Sequence, residues 1–229
     1  MISVIIPTLN AEQSLAHTLA ALVPAVVEGV VLEAIVVDGG STDGTCAIAE
    51  AAGVHLIKTG QGRGSQLEAG AGAARGDWLL FLHADTVLDH CWFEEAQSFI
   101  ERVESGRRSQ AAASFRFALD DDGTMPRLIE WLVALRCGLM GLPYGDQGLL
   151  ISRHLYRRLG GFRPLALMED VDLVRRLKWR ELVMLKSRAV TSGERYRREG
   201  YLARSLRNLG CVLLYYLRVP PRLLARLYG

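Results

Sequence analysis

Long apolar runs are missing from this chain. Late in the sequence, the longest stretch without charge is Asn208 to Leu217. It is far shorter than the about 20 residues that a bilayer-spanning helix needs. A basic leader is missing too: Met1 to Pro7 holds no Lys or Arg, and polar residues follow at once, so no secretory signal is expected. Cysteine is sparse. Cys46, Cys91, Cys137 and Cys211 lie far apart without a CxxC pair, which excludes a zinc ribbon or a disulfide scaffold and points to free thiols in a reducing, cytoplasmic setting. Lysine is rare, at 3 of the 27 basic residues. No aromatic-interleaved basic stretch and no helix-turn-helix spacing stands out, so nucleic acid is not an expected partner. No repeat or low-complexity tract marks a solenoid, a collagen or a disordered chain.

What remains is an ordinary globular composition: 229 residues, half of them apolar, 23% charged, net charge +2. One large domain is expected. The charge is uneven. Residues 1–100 hold 3 basic and 12 acidic side chains, and residues 186–229 hold 10 and 2. An acidic front and a basic tail suit a protein that handles a cation in one place and phosphates or an anionic surface in another.

Strands and helices alternate through the first hundred residues. Ile2–Pro7, Glu33–Asp38, Val54–Lys58 and Asp77–Leu82 read as strands. Helical spacing covers Glu12–Val27, Asp43–Ala52 and Ser65–Arg75. This alternation predicts an α/β fold with a mostly parallel central sheet flanked by helices. Farther on, helices are expected at Cys91–Glu104, Pro126–Cys137, Glu169–Arg180 and Gly200–Leu217. Strands are expected at Ala111–Leu119, Gln147–Ser152 and Leu182–Lys186, and a short amphipathic piece follows Pro221. Ligands of parallel sheets bind beyond the carboxyl ends of the strands. Function is therefore expected at Thr8–Asn10, Asp38–Ser41 and His83–Asp85.

Each candidate also has a plain structural reading. Asp38-Gly39-Gly40-Ser41 can bring backbone close to a ligand or be a capped turn. Gly60-Gln61-Gly62-Arg63-Gly64-Ser65 nearly matches a dinucleotide fingerprint, with Ser65 in place of the third glycine, and Arg63 could meet phosphate. His83-Ala84-Asp85 puts two polar side chains on one side of a strand end, where a carboxylate can hold Mg²⁺ or Mn²⁺. Met168-Glu169-Asp170-Val171-Asp172 heads a helix, where acids are favoured in any case. Asp146-Gln147 follows a tight turn.

Taken in order, Val4-Ile5-Ile6-Pro7-Thr8-Leu9-Asn10, Val36-Val37-Asp38-Gly39-Gly40-Ser41-Thr42-Asp43-Gly44, His83-Ala84-Asp85 and Glu169-Asp170 resemble family 2 glycosyltransferases of the GT-A fold. The resemblance covers nearly the whole chain. Leu80–Thr86, Pro143–Gly148, Gly160-Gly161-Phe162 and Thr191-Ser192 further resemble a bacterial subgroup labelled arsenosugar-biosynthesis-type or radical-SAM/selenodomain-associated. The resemblance implies a single Rossmann-like domain over 1–199, with a nucleotide-sugar half (1–100) and an acceptor half (101–199). It assigns Asp38 to the nucleobase, with Pro7, Thr8, Asn10 and Gly39 around it and Arg63, His83 and Ala84 along the donor. It makes Asp85 the metal ligand for Mg²⁺ or Mn²⁺, Asp170 the general base beside Glu169, and Asp146 and Gln147 acceptor-side residues. His83 stands where the common DxD motif has its first acid. The partners implied are a nucleotide-sugar donor and a hydroxyl acceptor. The alternatives are a nucleotide-binding oxidoreductase built on Gly60–Gly64 and a non-catalytic nucleotide-sugar binder.

The tail, 200–229, is an amphipathic helical segment. From Tyr201 to Tyr228 it has Arg204, Arg207, Arg218, Arg222 and Arg226 and no acid. Its apolar side can pack on the domain or a second subunit, or meet a membrane interface. The expectation is a cytoplasmic protein and a homodimer, with at most peripheral contact at the inner face of the membrane.

Overall fold

β1 (Ile2–Thr8) is buried at every residue, as a β-branched run lying between other strands should be. α1 (Leu15–Ala20), α2 (Val23–Val27), β2 (Val31–Asp38), α3 (Thr45–Ala51), β3 (His55–Lys58), α4 (Arg63–Ala73) and β4 (Trp78–Phe81) follow. The second half adds β5 (Thr86–Leu88), α5 (Trp92–Glu104), β6 (Ala112–Asp120), α6 (Thr124–Met140), β7 (Leu149–Ser152), α7 (Arg153–Arg158), α8 (Glu169–Arg176), β8 (Leu182–Ser192), α9 (Glu194–Glu199) and α10 (Tyr201–Tyr216). The computed structural model describes residues 1–109, 111–165, 167–178, 181–221, 223 and 224.

The strands form one sheet in the order β3-β2-β1-β4-β7-β6-β8-β5. The β3-β2-β1-β4 half is parallel throughout. β7 runs antiparallel to both β4 and β6, β8 is parallel to β6, and β5 is antiparallel to β8. The sheet is thus parallel where donor binding was expected and mixed beyond it. Apolar side chains leave both faces. Val4, Ile6, Val36 and Leu80 meet α1, α5 and neighbours on one side. Ile5, Ile35, Val37 and Leu79 meet α4, α7 and α8 on the other. The chain runs β1, β2, β3 toward one edge and then crosses back to β4 on the far side of β1. That reversal opens a crevice past the carboxyl ends of β1 and β4.

Some elements differ from the sequence pattern. The expected helix over 12–27 is two short ones, with Pro24 in the first turn of α2, where its missing N–H does no harm. The expected strand at Leu182 runs on to Ser192 because β6 and β5 pair with Arg188–Ser192 beyond an irregularity in the ladder. β5, α7 and α9 are additions. α8 ends at Arg176, short of the expected Arg180, and residues 179 and 180 lie outside the described residues. So does most of the amphipathic piece behind Pro221.

Candidate active site

The crevice is built first from the loops after β1 and β2. Asp38, buried at the end of β2, accepts hydrogen bonds from the N–H groups of Gly40 and Ser41 at 2.9 Å each, from Ser41 Oγ, and from Thr8 Oγ1 at 3.2 Å. Burial alone would push its pKa up, but these hydrogen bonds together hold the carboxyl below its ordinary value. Asn10 sits at φ +51, a region Asn tolerates. Its Oδ1 accepts from Thr42 N at 2.9 Å, and its own N–H donates to Ser41 Oγ at 2.8 Å. The two loops are stitched into one rim. Gln66 of α4 secures it from below, donating to the carbonyls of Thr8 (2.8 Å) and Val37 (2.7 Å). A Cβ on Gly39 would come to 3.0 Å from the Gln66 amide, so this glycine makes room for Gln66.

The opposite wall comes from β4, the 3-10 turn Gly145–Gln147 and the head of α8. Met168 caps α8 in the left-handed region, at φ +66, and turns the chain so that Glu169 and Asp170 lead the helix. Asp170 Oδ2 accepts from Gly145 N at 2.6 Å and Oδ1 from Val171 N at 2.7 Å. Gly145 is wedged between two site residues. A Cβ there would lie 2.6 Å from His83 Nε2 and 3.1 Å from Asp170 Oδ2. Thr191 of β8 closes the floor, with its hydroxyl 3.0 Å from that of Thr86 and 3.2 Å from the Asp146 carbonyl.

The electrostatics are those of a crowded, partly dry site. Burial, helped by Arg63, pushes the His83 imidazole down to about 4 against the pull of Asp85 and Asp170. The ring is therefore neutral near pH 7. Burial, reinforced by Asp170, raises Glu169 to about 6, although Arg63 Nη1 lies 3.5 Å from its Oε1. Burial, with Asp170 and Asp85 adding to it, raises Asp146 to about 6. Asp146 Oδ1 is buried with no hydrogen-bond partner among the described residues.

These groups share a cleft of about 440 Å³. Of the residues singled out in the sequence, Pro7, Thr8, Asn10, Arg63, His83, Ala84, Asp85, Asp146, Glu169 and Asp170 line it. Three do not. The carboxylate of Asp38 is taken up by its own loop, and Gly39 is occupied by Gln66. Gln147 points into the core, where its Nε2 donates to Phe115 O at 3.0 Å and its Oε1 accepts from Arg136 and Tyr144. The expectation of an acceptor-side position for Gln147 thus meets a side chain that is buried among core groups. A larger groove, about 1210 Å³, runs between α2, α3 and the β2-β3 edge. Small apolar side chains line most of it, and it lies away from the carboxylates. The Gly60–Gly64 turn follows edge strand β3 rather than the central β1, and Gly64 is there for packing: a Cβ would lie 2.3 Å from Arg163 O.

Residues 3–159, well over half of the chain, match the sequence profile of glycosyl transferase family 2. The chain belongs to that family. Within family 2 it is 35% identical over 101 residues to glucosyl-3-phosphoglycerate synthase of Mycolicibacterium paratuberculosis, covering 40% of this chain and 30% of that one. It is 40% identical over 101 residues to a PGL/p-HBAD biosynthesis glycosyltransferase of Mycobacterium bovis, covering 38% and 36%. The chain thus spans about a third of the length of these curated relatives. The fold is that of crystallised GT-A enzymes. Glucosyl-3-phosphoglycerate synthase of Mycobacterium tuberculosis, solved with Mn²⁺, UDP and phosphoglyceric acid, superposes with a TM-score of 0.58 at 23% identity, over 81% of this chain and 68% of that one. S. aureus TarS, residues 1–349, gives 0.61 at 18% identity, over 92% and 64%.

The sequence reading of this family 2 chain passed over several lining residues. Gln66, Arg204 and Asn208 all face the cleft. Arg204 is buried and paired with Glu199 at 3.2 Å, and Asn208 Oδ1 is buried without a hydrogen-bond partner among the described residues. Gln66 had a usable signal, as a lone amide in a helix of small residues. The other two lie on α10, and only the return of that helix across the sheet ends brings them in.

Proposed function

We propose that the chain transfers a glycosyl group from a nucleoside-diphosphate sugar to an acceptor hydroxyl, with inversion at the anomeric carbon. One observation carries the reading: Asp85, from the turn between β4 and β5, and Asp170, from the head of α8, share one crevice at the point where strand order reverses. The N-terminal half forms the donor side and the second half the acceptor side. Asp170, held by two backbone N–H groups, is the general base that takes the acceptor proton, a role worth about 10²–10⁴ in rate. A single base working opposite the leaving group means single displacement.

The residues present fit Mg²⁺ or Mn²⁺. Among the described residues no cluster of three ligating side chains is preassembled. Asp85 supplies one carboxylate, and hard cations that keep several waters and share phosphate oxygens suit such a site. Once bound, the ion neutralises charge on the departing diphosphate. Neutral His83 orients by hydrogen bonding rather than by charge, and Arg63 and Arg195 supply positive charge beside the phosphates. The relative crystallised with Mn²⁺ and UDP supports a uridine nucleotide as the first donor to try. The free thiols among the described residues support a cytoplasmic setting.

The test is nucleoside diphosphate binding with and without Mn²⁺, together with product release from a panel of nucleotide-sugars. Asp85→Ala should abolish the Mn²⁺-dependent part of binding and leave the melting temperature nearly unchanged. Equal affinity in both proteins would overturn the metal assignment. Absence of turnover with every donor, despite binding, would favour a non-catalytic sugar-nucleotide binder.

A further inference from the structure

α10 carries apolar side chains on two sides. Its inward side sends Arg204, Asn208 and Val212 toward the cleft and packs Cys211 and Val212 on Met168 and Val171. Leu202, Leu206, Leu209, Leu213, Tyr216 and Leu217 lie outward, with Leu206 68% and Leu217 76% exposed. At 3.6 residues per turn these six fall within a stripe roughly 100° wide. α6 repeats the arrangement. Leu128, Trp131, Leu132, Leu135 and Leu139 share one side and are all exposed, Trp131 at 60%. Ile129 and Cys137 turn inward. The two helices touch, and Ile129 and Val133 of α6 pack with Tyr196 of α9 and Tyr201 at the start of α10. Two neighbouring helices therefore each leave an apolar stripe uncovered, well beyond scattered surface leucines.

Positive charge accompanies these stripes. α9 carries exposed Arg197 and Arg198, paired with Asp121 at 3.1 Å and Glu199 at 3.9 Å, Arg218 follows α10 and is exposed, and α10 itself has no acid. No helix among the described residues is long and apolar enough to cross a membrane. Leucine and tryptophan on one side with arginines beside them is the pattern of a helix that lies in a headgroup layer. A second copy of this chain is the competing occupant. A two-fold interface sets like patches against like, so it would bring this arginine-rich surround against itself.

We infer that the face formed by α6 and α10 docks on an anionic membrane surface. The leucines and Trp131 enter the boundary between headgroups and acyl chains, and the arginines meet lipid phosphates. Because the inner side of α10 is a wall of the cleft, docking holds the cleft at the bilayer surface.

The test is co-sedimentation of the whole chain with vesicles of phosphatidylcholine alone and of an equal mixture with phosphatidylglycerol, at low and physiological salt. The wild type should sediment with the anionic vesicles, less at higher salt. Leu206→Glu combined with Leu213→Glu should weaken partitioning about tenfold or more. That variant should keep its melting temperature and its Mn²⁺-dependent nucleoside diphosphate binding, which separates this proposal from the reading of the cleft. The proposal is overturned if wild type and variant sediment alike. It is equally overturned if the wild type ignores every vesicle while light scattering shows a dimer that the variant splits.

Discussion

In the proposed reaction Asp170 is the residue on which the chemistry turns. Asp170→Asn keeps the shape of the side chain and removes its basicity. Donor binding should survive while transfer falls by about 10²-fold or more. Steady-state kinetics beside a nucleotide titration check this, and a near-normal kcat would move the role to Glu169 or Asp146. Asp146 offers a second, independent reading through stability. Its folded-state pKa, about 6, lies above the ordinary 3.8, so the folded protein holds that proton more tightly than the unfolded chain does. The resulting stabilisation is complete below about pH 4 and is lost as pH rises through about 6. Asparagine mimics the protonated form at every pH. Asp146→Asn should therefore melt roughly 5–10 °C above wild type at pH 7.5, without metal, and level with it near pH 4. Calorimetry at the two pH values decides. At this scale the sequence showed residue types but not directions. That Asp85 and Asp170 reach the cleft was legible because one follows a strand and the other heads a helix. That Asp38 hydrogen-bonds within the rim and Gln147 within the core was not, since neither partner set is marked in the sequence.

Elements set the distances between those residues. α4 lies so close to the 163–165 segment that Gly64 has no room for a side chain. Gly64→Ala should force α4 away and carry Arg63 off Glu169. The expected cost is about 1–3 kcal/mol, as for other overpacked sites, with a raised KM for donor and a smaller change in kcat. Urea denaturation and donor saturation curves measure both. A stability unchanged by the methyl group would mean that the segment yields freely. The longer elements were readable because β-branched runs and 3.6-residue spacing leave a mark over seven or more residues. β5, α7 and α9 span three to six residues, too few for a period to show. The length of β8 was invisible for another reason: its partners β5 and β6 lie far away in sequence and pair with Arg188–Ser192, while the N–H groups of Lys186 and Ser187 between the two paired stretches go to Glu95.

At the level of the whole molecule, the uneven charge noticed in the sequence becomes geometry. Acids from the front of the chain and arginines from its end line one cleft, Asp85 together with Arg195 and Arg204. Composition announced both charges, but only the pairing of β5 with β8 brings Asp85 beside the segment that carries Arg195. α10 then belongs to two environments at once. Its inner side bounds the ligand space and its outer side is open to whatever covers those leucines. Any coupling between those two faces is reciprocal. Whatever factor a bound nucleotide adds to the affinity of the outer face, an occupant of the outer face must return to the nucleotide. The two factors can be measured separately, by nucleotide titration with and without anionic vesicles and by vesicle titration with and without nucleotide. They should agree, and a value other than one would make this last helix a lever between the surface and the sugar.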